Sequence, residues 1–261
     1  MKVPPPAELV PTSVLPVALR RLFSYSHLNA MQSECFDVAF RSDASLIVAS
    51  PTGSGKTGVL ELALARLWSS GASRALAIYV APLKALVTER LNDWETKTRD
   101  LGVRVVALTG DDDDDTADER SVANADLILT TPEKWDSFTR FRRDAQGLIG
   151  RVGLLLLDEV HLLNDEQRGP TLESMVSRMQ TIRGSIKEQG HALPIAQVAC
   201  ERQPATASAH AWPPLRIHFP LSRASSCCTA HPTAIARSHI YGFSHTSASR
   251  GQQTNERTPP T

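Results

Sequence analysis

No run of about eighteen apolar residues occurs in the 261-residue sequence, which excludes an ordinary helical membrane span. The opening MKVPPPAELVPTSVLP is too broken by proline to hold the apolar centre of a secretory signal. Cysteine is scarce: Cys35, Cys200, Cys227 and Cys228 show no CxxC pairing, so neither a disulfide framework nor a zinc site is indicated, and a reducing compartment is expected. Adjacent Cys227 and Cys228, with His231 nearby, cannot easily share one tetrahedral site. Aromatic residues are few, at 5%, but 41% hydrophobic residues still suffice for a packed core. Net charge is lacking too, although the formal zero averages two unlike segments. From Glu201 onward there are six arginines, no lysine and two acids, leaving 22 basic and 26 acidic side chains in the first 200 residues. No basic block announces a nucleic-acid surface, so composition leaves the function open.

What is present is a repeated alternation. Apolar runs of strand length occur at Ser45–Ala49, Ala75–Val80, Val103–Leu108, Asp126–Thr130 and Gly153–Leu157, with helical periodicity between them at Thr57–Trp68, Leu83–Thr98 and Pro132–Phe141. A helix is also predicted over Ala30–Phe40 and a longer one over Pro170–Ile186, Pro170 suiting a first-turn position. A further short strand is expected to begin near Ile195. Strands alternating with helices specify an α/β fold, a parallel sheet with helices on both faces. The uninterrupted GLLLLD fits a central strand buried on both sides. Residues 1–19 are expected to lie across the surface without an element of their own, and residues 20–198 to form one domain. Residues 199–261 are rich in Ser, Thr, Ala, Pro, His and Arg, lack a sustained period, and are expected to be mostly disordered.

Between the first strand and its helix stands Ala49-Ser50-Pro51-Thr52-Gly53-Ser54-Gly55-Lys56-Thr57. It fits the phosphate-loop pattern GxxxxGK[ST], except that Ser50 takes the place of the first glycine. Gly53 and Gly55 let backbone N–H groups turn toward a β-phosphate. Lys56 would set its ammonium against the β/γ-phosphates, and Thr57 would offer a hydroxyl to Mg²⁺. Pro51, Thr52 and Ser54 complete the cradle, and the helix that follows points its positive end at the anion. The bland alternative is a glycine-rich turn with an exposed lysine, and the flanking strand and helix weigh against it.

About a hundred residues later Leu154-Leu155-Leu156-Leu157 ends in Asp158-Glu159-Val160-His161. The strand would hold Asp158 at the carboxyl edge of the sheet to bind Mg²⁺ directly or through a water, with Glu159 placed to orient and deprotonate the attacking water. An acidic pair after a strand is common by itself. In the right order after a phosphate loop, it makes an ATP–Mg²⁺ site at the carboxyl ends of parallel strands.

With these motifs in place the sequence resembles the superfamily 2 helicases of the DExH type, over roughly residues 20–198. Ala49–Thr57 resembles motif I, Asp158–His161 (DEVH) motif II, and Ala81-Pro82-Leu83-Lys84-Ala85-Leu86 motif Ia. Leu108-Thr109-Gly110-Asp111 resembles the TGD element, and Thr130-Thr131-Pro132-Glu133-Lys134-Trp135-Asp136 the TPEKWD element. The resemblance implies a RecA-like P-loop NTPase lobe, with ATP and Mg²⁺ as cofactors. It makes Gln32 an adenine-reading glutamine, Phe23 a residue near the base, and His161 the coupler of nucleotide state to a second lobe. Pro82, Lys84, Thr109, Gly110, Thr131 and Pro132 would lie along one nucleic-acid strand. RGPTLESMVSRMQTI and TPEKWDSFTR look most like the meiotic crossover DNA helicases. That implies 3′–5′ translocation on single-stranded or branched DNA in the nucleus, while RNA helicases of the same group share DEVH and TPEKWD.

Each of these residues also has a plainer reading. Lys84 and Arg90 can be solvated helix residues, Thr131 an N-cap, Trp135 a core residue, and Asp111–Asp115 a solvated acidic loop. Two departures from the family pattern stand out. Where the SAT tripeptide of motif III is expected, the chain reads Cys200-Glu201-Arg202-Gln203-Pro204, and nothing resembles motifs IV–VI of a second RecA-like lobe. A non-catalytic single lobe that binds ATP, nucleic acid or a protein partner without turnover is therefore the alternative to a working helicase.

Overall fold

The computed structural model describes residues 9–71, 75–109, 120–141, 145–160, 163, 165–166, 168–188, 196–202 and 239–240. Its strands are β1 (Leu46–Ser50), β2 (Leu76–Val80), β3 (Val105–Leu108), β4 (Leu127–Thr130), β5 (Val152–Leu157), β6 (Ala196–Arg202) and β7 (His239–Ile240). They form one sheet in the order β3-β4-β2-β5-β6-β1-β7. Every pairing is parallel except that of β7, which runs antiparallel along the outer edge of β1. The helices are α1 (Ala30–Arg41), α2 (Lys56–Ser69), α3 (Lys84–Thr98), α4 (Pro132–Phe141), α5 (Ala145–Arg151) and α6 (Gly169–Glu188).

Alternation along the central strands sorts the core into two layers. Ala77, Tyr79, Leu127, Leu129, Leu154 and Leu156 pack with α1, α2 and α3 on one face. Their neighbours Leu76, Ile78, Val80, Ile128, Leu155 and Leu157 pack with α4, α5 and α6 on the other. Both faces of β2, β4 and β5 are buried along their whole length. These runs therefore read as uninterrupted hydrophobic sequence rather than as alternation.

Three expectations need correction. The proline-rich start is not a bare surface strap. Thr12–Val14 and Val17–Leu22 form 3-10 helices, and Leu15, Leu19 and Leu22 enter the core. Thr12 and Leu28 donate backbone bonds to Ser26 and Val10, tying this segment to the entry of α1, so it belongs with the domain. Helix α5, with Leu148 and Ile149 buried, escaped the periodicity reading because its seven residues are too short to show one. Beyond residue 198, β6 continues to Arg202, and His239–Ile240 is paired as β7, so these parts of the 199–261 segment are strand rather than irregular.

Within the first layer a charge is buried. Glu61, in the middle of α2, is 3% exposed. Its Oε1 accepts from Trp94 Nε1 at 3.2 Å and from Lys97 Nζ at 2.5 Å, and Lys97 also reaches Asp93 at 3.0 Å. Burial pushes the Glu61 carboxyl above its ordinary range, while Lys97 and Trp94 pull it back. Burial pulls Lys97 down, but the carboxylates of Glu61 and Asp93 outweigh it and leave the ammonium raised. Lys97 therefore keeps its charge at neutral pH and offsets the cost of burying the Glu61 carboxylate. A carboxyl whose pKa is higher folded than unfolded favours folding at acid pH, and that contribution is lost as pH rises through the folded value. Lys97→Met removes the partner and strands the charge. It should cost about 2–3 kcal/mol at pH 7.5 and clearly less at pH 4.5, where Glu61 takes up a proton, as read by urea unfolding at the two pH values. An equal loss at both would show that Glu61 is not the cause.

Candidate nucleotide and nucleic-acid site

The phosphate loop leaves β1 at Ser50 and enters α2 at Lys56. Gly53 and Gly55 adopt φ +77° and +88°, a region that a side chain disfavours. Ser50 needs no such freedom. It is the last residue of a regular strand, and its Oγ lies 2.6 Å from Ser54 Oγ across the loop, so a serine in place of glycine pins the turn. Lys56 Nζ donates to the carbonyls of Ser50 and Pro51, both at 2.9 Å, which folds the ammonium under the arch of the loop. Thr57 follows, half-buried, in the first turn of α2.

Gln32 braces this loop from α1. Its Oε1 accepts from Asn29 N at 3.0 Å while Asn29 Oδ1 accepts from Gln32 N at 2.9 Å, a capping box that closes the helix start. Gln32 Nε2 then donates to the Gly55 carbonyl at 2.9 Å, and Asn29 Nδ2 to the Ser54 carbonyl at 2.9 Å. A primary amide has two donor hydrogens and two acceptor lone pairs; Gln32 also hydrogen-bonds the Tyr25 phenol, which leaves one lone pair on Oε1 uncommitted. Gly58 makes the approach possible, because a Cβ there would meet Gln32 Nε2 at 2.3 Å and Tyr25 Oη at 2.7 Å. Phe23 is a correction. It is buried at 7% in the core, edge-on to Tyr25, and the exposed ring beside Gln32 is that of Tyr25. The Asn29-Ala30-Met31-Gln32 spacing was a readable capping signal for this brace. Nothing in the sequence singled out Gly58 or Tyr25.

Asp158 continues β5 by one residue. Its N–H donates to the Val80 carbonyl at 2.9 Å, keeping the strand in register with β2. Alternation puts it on the face of Leu154 and Leu156, which is the face that α2 covers. β6 lies between β1 and β5, so the two carboxyl ends stand about 10 Å apart. Phosphate loop and carboxylate therefore share one edge and one face of the sheet. Tyr79 Oη donates to Asp158 Oδ2 at 2.8 Å, and Glu159 N to Oδ1 at 3.0 Å. Burial, then the Asp158 charge, push the Tyr79 phenol far above its ordinary value, so it remains a donor. Each carboxylate oxygen retains acceptor capacity. With the Thr57 hydroxyl, this hard-oxygen donor set fits Mg²⁺, which takes few protein ligands and keeps phosphates and waters for the rest.

Glu159 has φ +53°, the left-handed region, where glutamate is uncommon. It faces a cleft shared with Pro82, Pro132, Leu157 and Arg168, which brings the motif Ia and TPEKWD segments against the acidic pair.

A family model described as DEAD/DEAH box helicase matches residues 29–198. The chain belongs to that family. It is 43% identical over 182 residues to the ATP-dependent DNA helicase homolog MER3 of Arabidopsis thaliana, covering 65% of this chain and 16% of that one. It is 42% identical over 192 residues to the probable ATP-dependent DNA helicase HFM1 of Homo sapiens, covering 71% and 13%. Activating signal cointegrator 1 complex subunit 3 of Homo sapiens is also 42% identical, over 186 residues, covering 69% and 8%. The chain thus spans 16% or less of the length of these relatives. Among solved structures, the DUF1998 helicase MrfA bound to DNA and AMPPNP superposes with a TM-score of 0.63 at 17% identity, covering 77% of this chain and 28% of MrfA, and so shares its fold.

In this helicase lobe the residues singled out along the nucleic-acid strand fare unequally. Lys84 is exposed at the start of α3, Pro82 half-buried before it, and Thr109 half-buried after β3. Thr131 is buried, and its hydroxyl accepts from Lys134 N at 3.4 Å as the N-cap of α4. Trp135 is fully buried, its Nε1 donating to Met179 Sδ at 3.2 Å, so it is a core residue. Gly110, Asp111–Asp115 and His161 lie outside the described residues. Sequence reasoning passed over Arg168, which reaches the cleft from the turn before α6.

Two outcomes follow from the backbone. Gly58→Ala displaces the Gln32 amide. The gain of up to about 1 kcal/mol for alanine in a helix offsets a lost hydrogen bond of about 1 kcal/mol. Urea unfolding should therefore change by less than about 1 kcal/mol, while affinity for fluorescent ADP falls several-fold; unchanged affinity would show that the brace does not shape the loop. Glu159→Gly relieves the left-handed backbone and should raise stability by about 1 kcal/mol, seen as a higher unfolding midpoint, whereas a lower midpoint would show that the side chain's contacts matter more.

Proposed function

We propose that the chain is the ATP-binding lobe of a DNA helicase that moves 3′–5′ on single-stranded or branched DNA, in the nucleus, of the meiotic crossover type. The observation carrying the reading is that the phosphate loop and Asp158 share one edge and one face of the sheet, as an ATP–Mg²⁺ site requires. Lys56 exchanges the carbonyls of Ser50 and Pro51 for the β/γ-phosphates. Thr57 and Asp158 would hold Mg²⁺, which would supply charge neutralisation at the transferring phosphoryl group. Glu159 orients the attacking water and takes its proton. Gln32 offers its remaining acceptor lone pair to adenine, with the Tyr25 ring beside it.

The strand path is proposed along Pro82, Lys84, Thr109, Gly110, Thr131 and Pro132, with His161 coupling nucleotide state to a second RecA-like lobe. Phosphate contacts at such a path come from hydroxyls, backbone N–H groups and a few cations, so a zero net charge is no obstacle. DNA is favoured over RNA because the MER3 and HFM1 relatives carry DNA helicase in their names.

The arginine fingers of the family's second lobe are absent from these 261 residues, and such fingers are worth about 10³–10⁵ in rate. The chain by itself should bind ATP–Mg²⁺, hydrolyse it very slowly and unwind nothing. Slow turnover should rise with single-stranded DNA more than with RNA of the same sequence, and Lys56→Ala should abolish it. Nucleotide binding without any stimulation would favour a non-catalytic single lobe. Robust strand separation by the chain alone would contradict the proposal.

A further inference from the structure

The first-layer face of β2 holds a polar group that none of the motifs uses. Tyr79 is fully buried, its ring edge-on to Trp94 at 5.0 Å and 80°. Burying a phenol is costly unless its oxygen is bonded. Tyr79 Oη donates at 2.8 Å to Asp158 Oδ2, and the Arg90 side chain on α3 also engages the phenol. Arg90 is itself held between Glu89 and Asp93 at 3.6 and 3.8 Å, so the phenol oxygen is fixed from both sides. The second carboxylate oxygen is fixed by Glu159 N at 3.0 Å. A short acidic side chain at the end of a strand has two free torsions, and these two donors remove them.

We propose that Tyr79 is a positioning residue that orients the Asp158 carboxylate for the magnesium of a bound nucleotide. The inference rests on the ATP–Mg²⁺ reading of the site. A donor on one lone pair of Oδ2 sets the plane of the carboxylate and leaves its other lone pairs aimed away from the phenol. Partners one step behind a metal ligand act in this way, and their loss typically costs about 10–100-fold in metal affinity. Phenylalanine has the same ring and would fill the same space against Trp94, so the substitution isolates the oxygen.

The test measures affinity of the 261-residue chain for a fluorescent ADP analogue, in excess EDTA and again in saturating Mg²⁺. The readout is the gain in affinity that magnesium confers. Tyr79→Phe should bind as wild type does in EDTA and lose about tenfold of the magnesium-dependent gain, with the thermal melt showing a folded protein. Trp94→Phe disturbs the packing of the same ring but keeps its oxygen, and should lower the melting temperature while leaving the gain intact. Arg90→Gln, on a partly exposed side chain, loosens the phenol without touching the core and should reduce the gain in the same direction. A wild-type gain in Tyr79→Phe, or an equal loss in Trp94→Phe, overturns the inference while the nucleotide site stands, provided Lys56→Ala still weakens binding. No magnesium-dependent gain in the wild type overturns both readings.

Discussion

The chemistry at the carboxyl edge depends on one constraint, the register of β5 between β2 and β6. Asp158 N bonds to the Val80 carbonyl, so the strand geometry persists for one residue past the point where its side chains stop being apolar. In a strand the side of the sheet is decided by parity. A slip of one residue would send Asp158 to the layer of α4 and α6 and bring Glu159 under α2. Six buried residues in β5, facing hydrophobic layers on both sides, make such a slip expensive. The geometry of the acidic pair is thus held by packing remote from its own polar atoms.

Much of this was legible because parallel strands leave a strong trace. Strand and helix positions agree with the sequence reading to within two residues for β1 to β5, α1 to α4 and α6. The phosphate loop could be read because positive φ and close approach admit few residue types. What stayed hidden is what depends on partners distant in sequence. The 3-10 helices near the start have no period to detect, and proline spacing suggests a loop until Leu15 and Leu19 are seen in the core. The Gln32 brace and the Tyr79 bond join residues 23 and 79 positions apart. Thr131 was ambiguous for a different reason, since a hydroxyl before proline at a helix start serves equally as cap or phosphate ligand. In the structure the hydroxyl acts as the cap.

Polar groups inside the first layer form a series rather than scattered defects. Asp158, Tyr79 and Arg90 are joined at one end, and Trp94, Glu61, Lys97 and Asp93 at the other, with the Tyr79 and Trp94 rings in edge contact between them. All the polar members on the helices belong to α2 or α3. The helix that begins at the phosphate loop and the helix that begins beside Pro82 are therefore locked to each other and to the acidic strand end. An apolar contact of equal area would tolerate sliding, whereas donors and acceptors with fixed directions do not.

The resting position of Lys56 bears on selectivity. Its ammonium is bonded to two neutral carbonyls at 2.9 Å, so no charge is left dangling beside the loop, and a ligand must offer more than these carbonyls do. A phosphate adds a full opposite charge where the carbonyls offer only a dipole. On the proposed site, a β/γ-phosphate pair would compete with these carbonyls for the ammonium, whereas an uncharged nucleoside would not. The same exchange frees the carbonyls of Ser50 and Pro51, and the loop must then satisfy them with water or with its own N–H groups. Release of Lys56 from the strand end is thus coupled to a rearrangement of the turn between Ser50 and Gly55. That turn is braced by Asn29 and Gln32, so on the proposed site any response of the loop to phosphate would pass through the bonds that join α1 to it.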